Sequence, residues 1–116
     1  MEIVIYHNPR CSKSRQTLAL LDENGFKPLV IDYLKTPPSH QQLDSILRGL
    51  EMQPRDLMRK SEPQYKQLSL ADDTLSRDQL IDAMVKNPKL IERPIVVAGD
   101  EIIIGRPPEN VLTILP

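Results

Sequence analysis

The chain has 116 residues, 15 basic and 16 acidic side chains, a net charge of -1 and a single cysteine. That length suits one domain over residues 1–116, able to bury about two-thirds of its unfolded surface without disulfide staples, and the balanced charge leaves no footprint for general nucleic-acid binding. No apolar run approaches the ~20 residues of a membrane span, the start Met1–Tyr6 is not built like a signal peptide, and a lone cysteine forms no internal disulfide, so a reducing, cytoplasmic setting is expected.

In chain order, Ile3-Val4-Ile5-Tyr6 is a continuous apolar run, as in a strand buried on both faces. His7-Asn8-Pro9 breaks it. The pattern then predicts a helix from about Ser12 to Asn24, with Leu18 and Leu21 on one face and Gly25 as its C-cap. Leu29-Val30-Ile31 is a second apolar strand. Strand, helix and strand in so short a span make a βαβ unit with a parallel pair.

Thr36-Pro37-Pro38 ends this unit. Ser39-x-x-Gln42 is a capping box, opening a helix to about Leu50 with Leu43, Ile46, Leu47 and Leu50 at i, i+3, i+4, i+7. Pro54 begins another short helix. Ser76-x-x-Gln79 is a second capping box, whose helix carries Leu80, Ile81 and Met84 and stops before Asn87-Pro88. Ile95–Ala98 and Ile102–Ile104 flank Gly99-Asp100, a β-hairpin signal. Pro107-Pro108 opens a last helix with Val111, Leu112 and Leu115 apolar. The order βαβ, helices, ββα predicts an α/β, thioredoxin-like fold: a mixed four-stranded sheet with an inserted helical segment.

Cys11 falls in the turn between the first strand and the first helix, the end of an α/β sheet where ligands bind. A helix N-terminus offers free N–H groups and about half a positive charge, both favouring thiolate over thiol. A thiol of ordinary pKa, about 8.5, is only about 3% ionised at pH 7; at about 6.5 it would be about three-quarters ionised. That difference corresponds to about 2.7 kcal/mol. A helix terminus supplies at most about 2 kcal/mol of it, so a hydrogen bond or a cation must add the rest. Ser14, Arg15 and His7 are candidates. Residues 7–15 hold Arg10, Lys13 and Arg15 and no acid, which suits a small anion. A lone cysteine is often a small buried hydrophobe, but Cys11 has only polar and charged neighbours in Arg10, Ser12 and Lys13.

Spacing separates the cysteine chemistries. A redox Cys-x-x-Cys needs a thiol where Ser14 stands. A phosphatase-type Cys-x5-Arg needs arginine where Thr17 stands. One cysteine and two histidines are too few for a zinc site. A monothiol nucleophile remains, with no metal and no bound cofactor. Any adduct on Cys11 must then be resolved by an outside thiol such as glutathione.

The segment His7-Asn8-Pro9-Arg10-Cys11-Ser12-Lys13-Ser14-Arg15 resembles the active-site motif of glutaredoxin-dependent arsenate reductases, the ArsC family, which reads His-Asn-Pro-x-Cys-x-x-Ser-Arg. Asp56–Lys60, Asp78–Ile81, Leu90–Val97 and Gly105–Glu109 are also similar to the family, so the resemblance covers essentially the whole chain. It implies that Cys11 attacks arsenate or a similar oxyanion, and that Arg59, Arg93 and Arg106 hold that anion. It implies supporting roles for His7, Ser14 and Arg15, with Ser14 hydrogen-bonded to the thiolate or the anion. Arg93-Pro94 would be the cis-proline element. Glutathione would be the co-substrate and glutaredoxin the protein partner, with no nucleic acid and no membrane. The chain ends at Pro116, where well-known arsenate-resistance members continue into a longer tail. Two other readings share the fold: an Spx-like regulator that binds RNA polymerase, and a monothiol enzyme that transfers glutathione. Ser14, standing where many Spx-type proteins have a second cysteine, weighs against the former.

Overall fold

The computed structural model describes residues 2–115. They form two compact units, one of residues up to Thr36 together with those from Arg93 onward, the other Pro37–Glu92.

The first unit is built on a four-stranded sheet in the order β2-β1-β3-β4, with β1 Ile3–His7, β2 Leu29–Asp32, β3 Ile95–Ala98 and β4 Glu101–Ile104. β1 runs parallel to β2, with His7 opposite Asp32, and antiparallel to β3, with Ile3 opposite Ala98. β3 and β4 pair as the expected antiparallel hairpin. The helix α1, Ser12–Glu23, crosses from β1 to β2. Its Leu21 meets Ile3 and Ile5 of β1, Val96 and Ala98 of β3 and the buried Val111 in one apolar core.

The expectation that β1 is buried on both faces is corrected. Ile3, Ile5 and His7 are buried and Val4 and Tyr6 only half-buried. Side chains alternate across a strand, so the face carrying Ile3 and Ile5 takes the core. The same alternation puts His7 on that face. β2 is an edge strand, which leaves Leu29 and Val30 exposed.

The cap of α1 falls one residue before its expected position. Asn24 is the C-cap and Gly25 follows with φ +82°. The Phe26 N–H donates to Leu21 O and the Gly25 N–H to Asp22 O, each at 3.0 Å, the Schellman arrangement. The last element is a 3-10 helix over Pro108–Ile114, not an α-helix. Three residues per turn align Pro108, Val111 and Ile114 on one stripe. Pro108 and Val111 are buried and Ile114 packs on the core, while Leu112 points outward.

The second unit holds α2 His40–Leu50, a 3-10 turn Pro54–Leu57, a five-residue α3 Pro63–Gln67, α4 Arg77–Lys86 and a 3-10 turn Pro88–Leu90. Both expected capping boxes form, at Ser39 with Gln42 and at Ser76 with Gln79. Leu43, Ile46 and Leu47 of α2 and Leu80, Ile81 and Met84 of α4 are buried. Leu50, in the last turn of α2, is only half-buried. Asp44 ties the two helices, accepting from Arg77 at 2.8 Å and from Arg48 at 2.9 Å. The periodicity gave no sign of α3, which is short and buries none of its residues. Among the described residues no helix is long and apolar enough to cross a membrane.

Gly25 gives a clean test of the α1 cap. Nothing lies within 4 Å of where its Cβ would be, so an alanine there meets only the backbone penalty. Gly25→Ala is expected to lower stability by about 1 kcal/mol. In urea unfolding the midpoint should fall while the slope stays unchanged.

Candidate active site

The turn from β1 to α1 is organised by Asn8. Its carbonyl accepts from the Cys11 N–H at 3.0 Å, its Oδ1 accepts from the Arg10 N–H at 3.0 Å, and its own N–H donates to Ser14 Oγ at 3.0 Å. These bonds hold Cys11 at the N-cap of α1 in an extended conformation, φ -94° and ψ 123°. Serine, threonine or aspartate is preferred at that position, because a side-chain oxygen there takes the N–H groups two and three residues on. Cys11 forms no such cap bond. The N–H groups of Lys13 and Ser14 act on its sulfur instead, and an ionised sulfur is what they favour.

Cys11 is nearly buried, and burial pushes its thiol up. The Ser14 N–H, the Arg93 guanidinium through hydrogen bond and charge, and the Lys13 N–H together outweigh burial. The thiol therefore lies below its ordinary value. Arg106 reaches the same atom, its Nη1 donating to Cys11 Sγ at 3.9 Å and to Arg93 O at 3.4 Å. Cys11, Arg93 and Arg106 thus converge in the first unit. Each arginine precedes a cis peptide, Arg93-Pro94 and Arg106-Pro107.

The supporting residues are placed more specifically than their spacing suggested. The Ser14 hydroxyl is engaged by His7, with Nδ1 at 2.6 Å, and by the Asn8 N–H. It is the main-chain N–H of Ser14, not its hydroxyl, that acts on the sulfur. Burial lowers the pKa of His7, Asp32 raises it by charge and Arg15 lowers it, with a net downward result. Its neutral form is favoured accordingly, and it reaches the cysteine turn through Ser14. Arg15 donates from Nη1 to Pro9 O at 2.9 Å and braces the loop.

Arg59 belongs to the second unit. An isolated antiparallel bridge between Met58 and Ile91 aligns its segment, with the Arg59 N–H donating to Leu90 O at 2.7 Å. Its Nε lies 3.8 Å from Glu92 Oε1. Among the described residues no group of three or more His, Cys, Asp or Glu side chains could hold a metal.

Three residues of this architecture escaped the sequence reading: Asn8, Thr17 and Gly105. Asn8 stood inside the quoted motif, but its three backbone contacts are a matter of local geometry. Thr17 is a fully buried polar residue on a helix read only for its leucines. Gly105 lies within the Gly-Arg-Pro-Pro motif, where the arginine carries the obvious chemistry.

Residues 6–114 match the ArsC family. The chain belongs to that family. It is 57% identical over 115 residues to the uncharacterized protein YfgD of Escherichia coli K12, covering 98% of this chain and 97% of that protein. It is 47% identical over 116 residues to an arsenate reductase of Haemophilus influenzae, covering 99% of this chain and 100% of that protein. The solved arsenate reductase from Vibrio cholerae superposes with a TM-score of 0.96 at 53% identity, covering 99% of this chain and 98% of that structure. The thioredoxin-like arrangement expected from the element order is thus the arrangement of this ArsC chain.

A depressed thiol pKa has a definite sign in stability. Between the folded value and the ordinary value of about 8.5, the unfolded chain binds more protons at Cys11 than the folded one. Stability from this group is fully present above the ordinary value and is lost as pH falls through the folded one. The urea midpoint should therefore climb with pH across that window, and Cys11→Ser should remove that part of the slope. Thiolate absorbance should show a midpoint below the ordinary value, and Arg93→Ala should move it upward.

Proposed function

We propose that this chain is an arsenate reductase that works with glutathione and glutaredoxin. One observation carries the reading: a single cysteine with a lowered pKa faces two guanidinium groups, in a chain with no second thiol. Arginine suits the task because its planar fork matches the oxygens of a tetrahedral oxyanion.

The Cys11 thiolate attacks arsenic(V) and a sulfur–arsenic bond forms. A protonated oxygen leaves as water. Arg93 and Arg106 neutralise the charge on the remaining oxygens. We assign Arg59 as a third guanidinium on the strength of the family likeness of its segment. His7 and Ser14 hold the cysteine turn, and Arg15 holds its loop. The thiol of glutathione then attacks the Cys11 sulfur. A disulfide forms, the sulfur–arsenic bond breaks with its electron pair kept by arsenic, and arsenite leaves. Arsenic is reduced from V to III, and the two thiols are oxidised to a mixed disulfide. A glutaredoxin thiolate takes the glutathione and frees Cys11. The setting is a reducing compartment such as the cytoplasm, where glutathione is at hand.

The test is arsenite formation from arsenate with glutathione and glutaredoxin present. Cys11→Ser should abolish it, and Arg93→Ala or Arg106→Ala should lower turnover by about 100-fold. Arg59→Ala should cripple arsenate reduction yet spare removal of glutathione from a glutathionylated Cys11. Wild-type turnover no higher than that of Cys11→Ser would sink the proposal. Equal loss of both reactions in Arg59→Ala would favour a simple glutathione-transfer enzyme.

A further inference from the structure

Gly105 follows β4 and has no room for a side chain. A Cβ there would lie 2.7 Å from Thr17 Oγ1, 2.9 Å from Thr17 Cγ2 and 3.0 Å from Pro94 Cγ. Its N–H donates to Pro94 O at 2.9 Å, and its carbonyl accepts from Thr17 Oγ1 at 3.2 Å. Three segments meet at this one residue, and each carries a group that acts on the Cys11 sulfur. α1 brings the N–H groups of Lys13 and Ser14. Pro94 follows Arg93. Gly105 precedes Arg106.

Thr17 is fully buried. A buried hydroxyl is costly unless it is hydrogen-bonded. Its single proton is shared between Lys13 O at 2.8 Å and Gly105 O at 3.2 Å. The first bond is the ordinary back-bond of a helical threonine, which needs no burial. The second spans 88 residues and joins the helix capped by Cys11 to the residue before Arg106. Arg106 is exposed, and an exposed arginine samples many rotamers. Holding its guanidinium near a sulfur requires a backbone that does not drift.

We propose that Thr17 is a positioning residue whose hydroxyl fixes Gly105, and through it the Arg106 guanidinium, against the Cys11 sulfur. The inference rests on the proposed role of Cys11 as a thiolate nucleophile, but it makes no use of arsenate. Thr17→Val keeps the shape and deletes the hydroxyl. Thr17→Ser keeps the hydroxyl.

The experiment is a thiolate-absorbance titration of Cys11 in the full chain, for both variants, for Arg106→Ala and for Thr17→Val combined with Arg106→Ala. Thr17→Val should raise the midpoint by about half a unit or more, a loss of about three-fold in thiolate at any pH below both midpoints. Thr17→Ser should titrate near the wild type. The double variant should match Arg106→Ala alone, because the hydroxyl acts through that arginine. A wild-type midpoint in Thr17→Val overturns the proposal. So does a Thr17→Ser shift as large as that of valine, or an additive shift in the double variant, which is what a merely structural role would give. Should Thr17→Val fail to fold, Thr17→Ala deletes the same hydroxyl with a smaller side chain. It should raise the midpoint in the wild type and not in Arg106→Ala, and any other pattern counts against the proposal. A wild-type protein that titrates below the ordinary thiol value but turns over no arsenate defeats the functional reading alone.

Discussion

The site depends on one exchange at the start of α1: a sulfur stands where a capping oxygen is preferred. The same chain shows the ordinary solution twice. Ser39 and Ser76 cap α2 and α4 with full capping boxes. A serine cap is typically worth about 1 kcal/mol of stability, and α1 goes without it. Its first-turn N–H groups stay available to an anion at position 11. A group that leaves donors uncommitted in the thiol form gains from them in the thiolate form, and that difference is what lowers a pKa.

Burial alone would raise the Cys11 thiol, and it is the largest single influence on it. The thiolate wins because several smaller favourable contacts converge on one atom. Those contacts come from distant parts of the chain. Lys13 and Ser14 belong to the helix and Arg93 precedes β3; Arg106, which also donates to the sulfur, follows β4. Pairing of β1 with β3, and of β3 with β4, brings these segments to the same end of the sheet. Strand register thus does the coarse work, and local contacts such as Asn8 with the cysteine turn do the fine work. A one-residue shift of β1 against β3 would turn every side chain on β1 to the other face, His7 among them.

Much of this was legible in the sequence, and the failures are physically informative. Capping boxes are read well because Ser39 and Gln42, or Ser76 and Gln79, act on the same turn they occupy. The hairpin at Gly99-Asp100 is local in the same sense. The run Ile3–Tyr6 reads as buried on both faces because four apolar residues do not say which single side the helix covers. Pro107-Pro108 and the apolar Val111, Leu112 and Leu115 read as a final α-helix, but Val111, Thr113 and Ile114 are β-branched and weak α-formers. The three-residue stripe through Pro108 and Val111 gave the better burial. Cys11 could be singled out from its position and from the count of thiols. Its arginines could not, since Arg93 and Arg106 become neighbours of the sulfur only once the sheet exists; the family resemblance supplied them. The junction of Thr17 with Gly105 lies beyond both kinds of reading, being a contact across 88 positions between residues with no chemistry of their own.

The charge pattern around the turn follows from the same exchange. The first turn of α1 contains no acidic residue, nor do those of α2 and α3, whereas α4 and the turn at Pro54 place Asp78 and Asp56 there. A carboxylate in the first turn stabilises a helix through its dipole. In α1 it would also stand beside the sulfur as a like charge and push the thiol back up. Lys13 and Arg15 occupy those positions instead. A cation at a helix start is unfavourable by a few tenths of a kcal/mol, and Arg15 offsets part of that by bracing Pro9. The helix start is therefore less stable than it could be in two respects, the missing cap and the missing acid. Both omissions keep its positive end free for a negative charge at position 11.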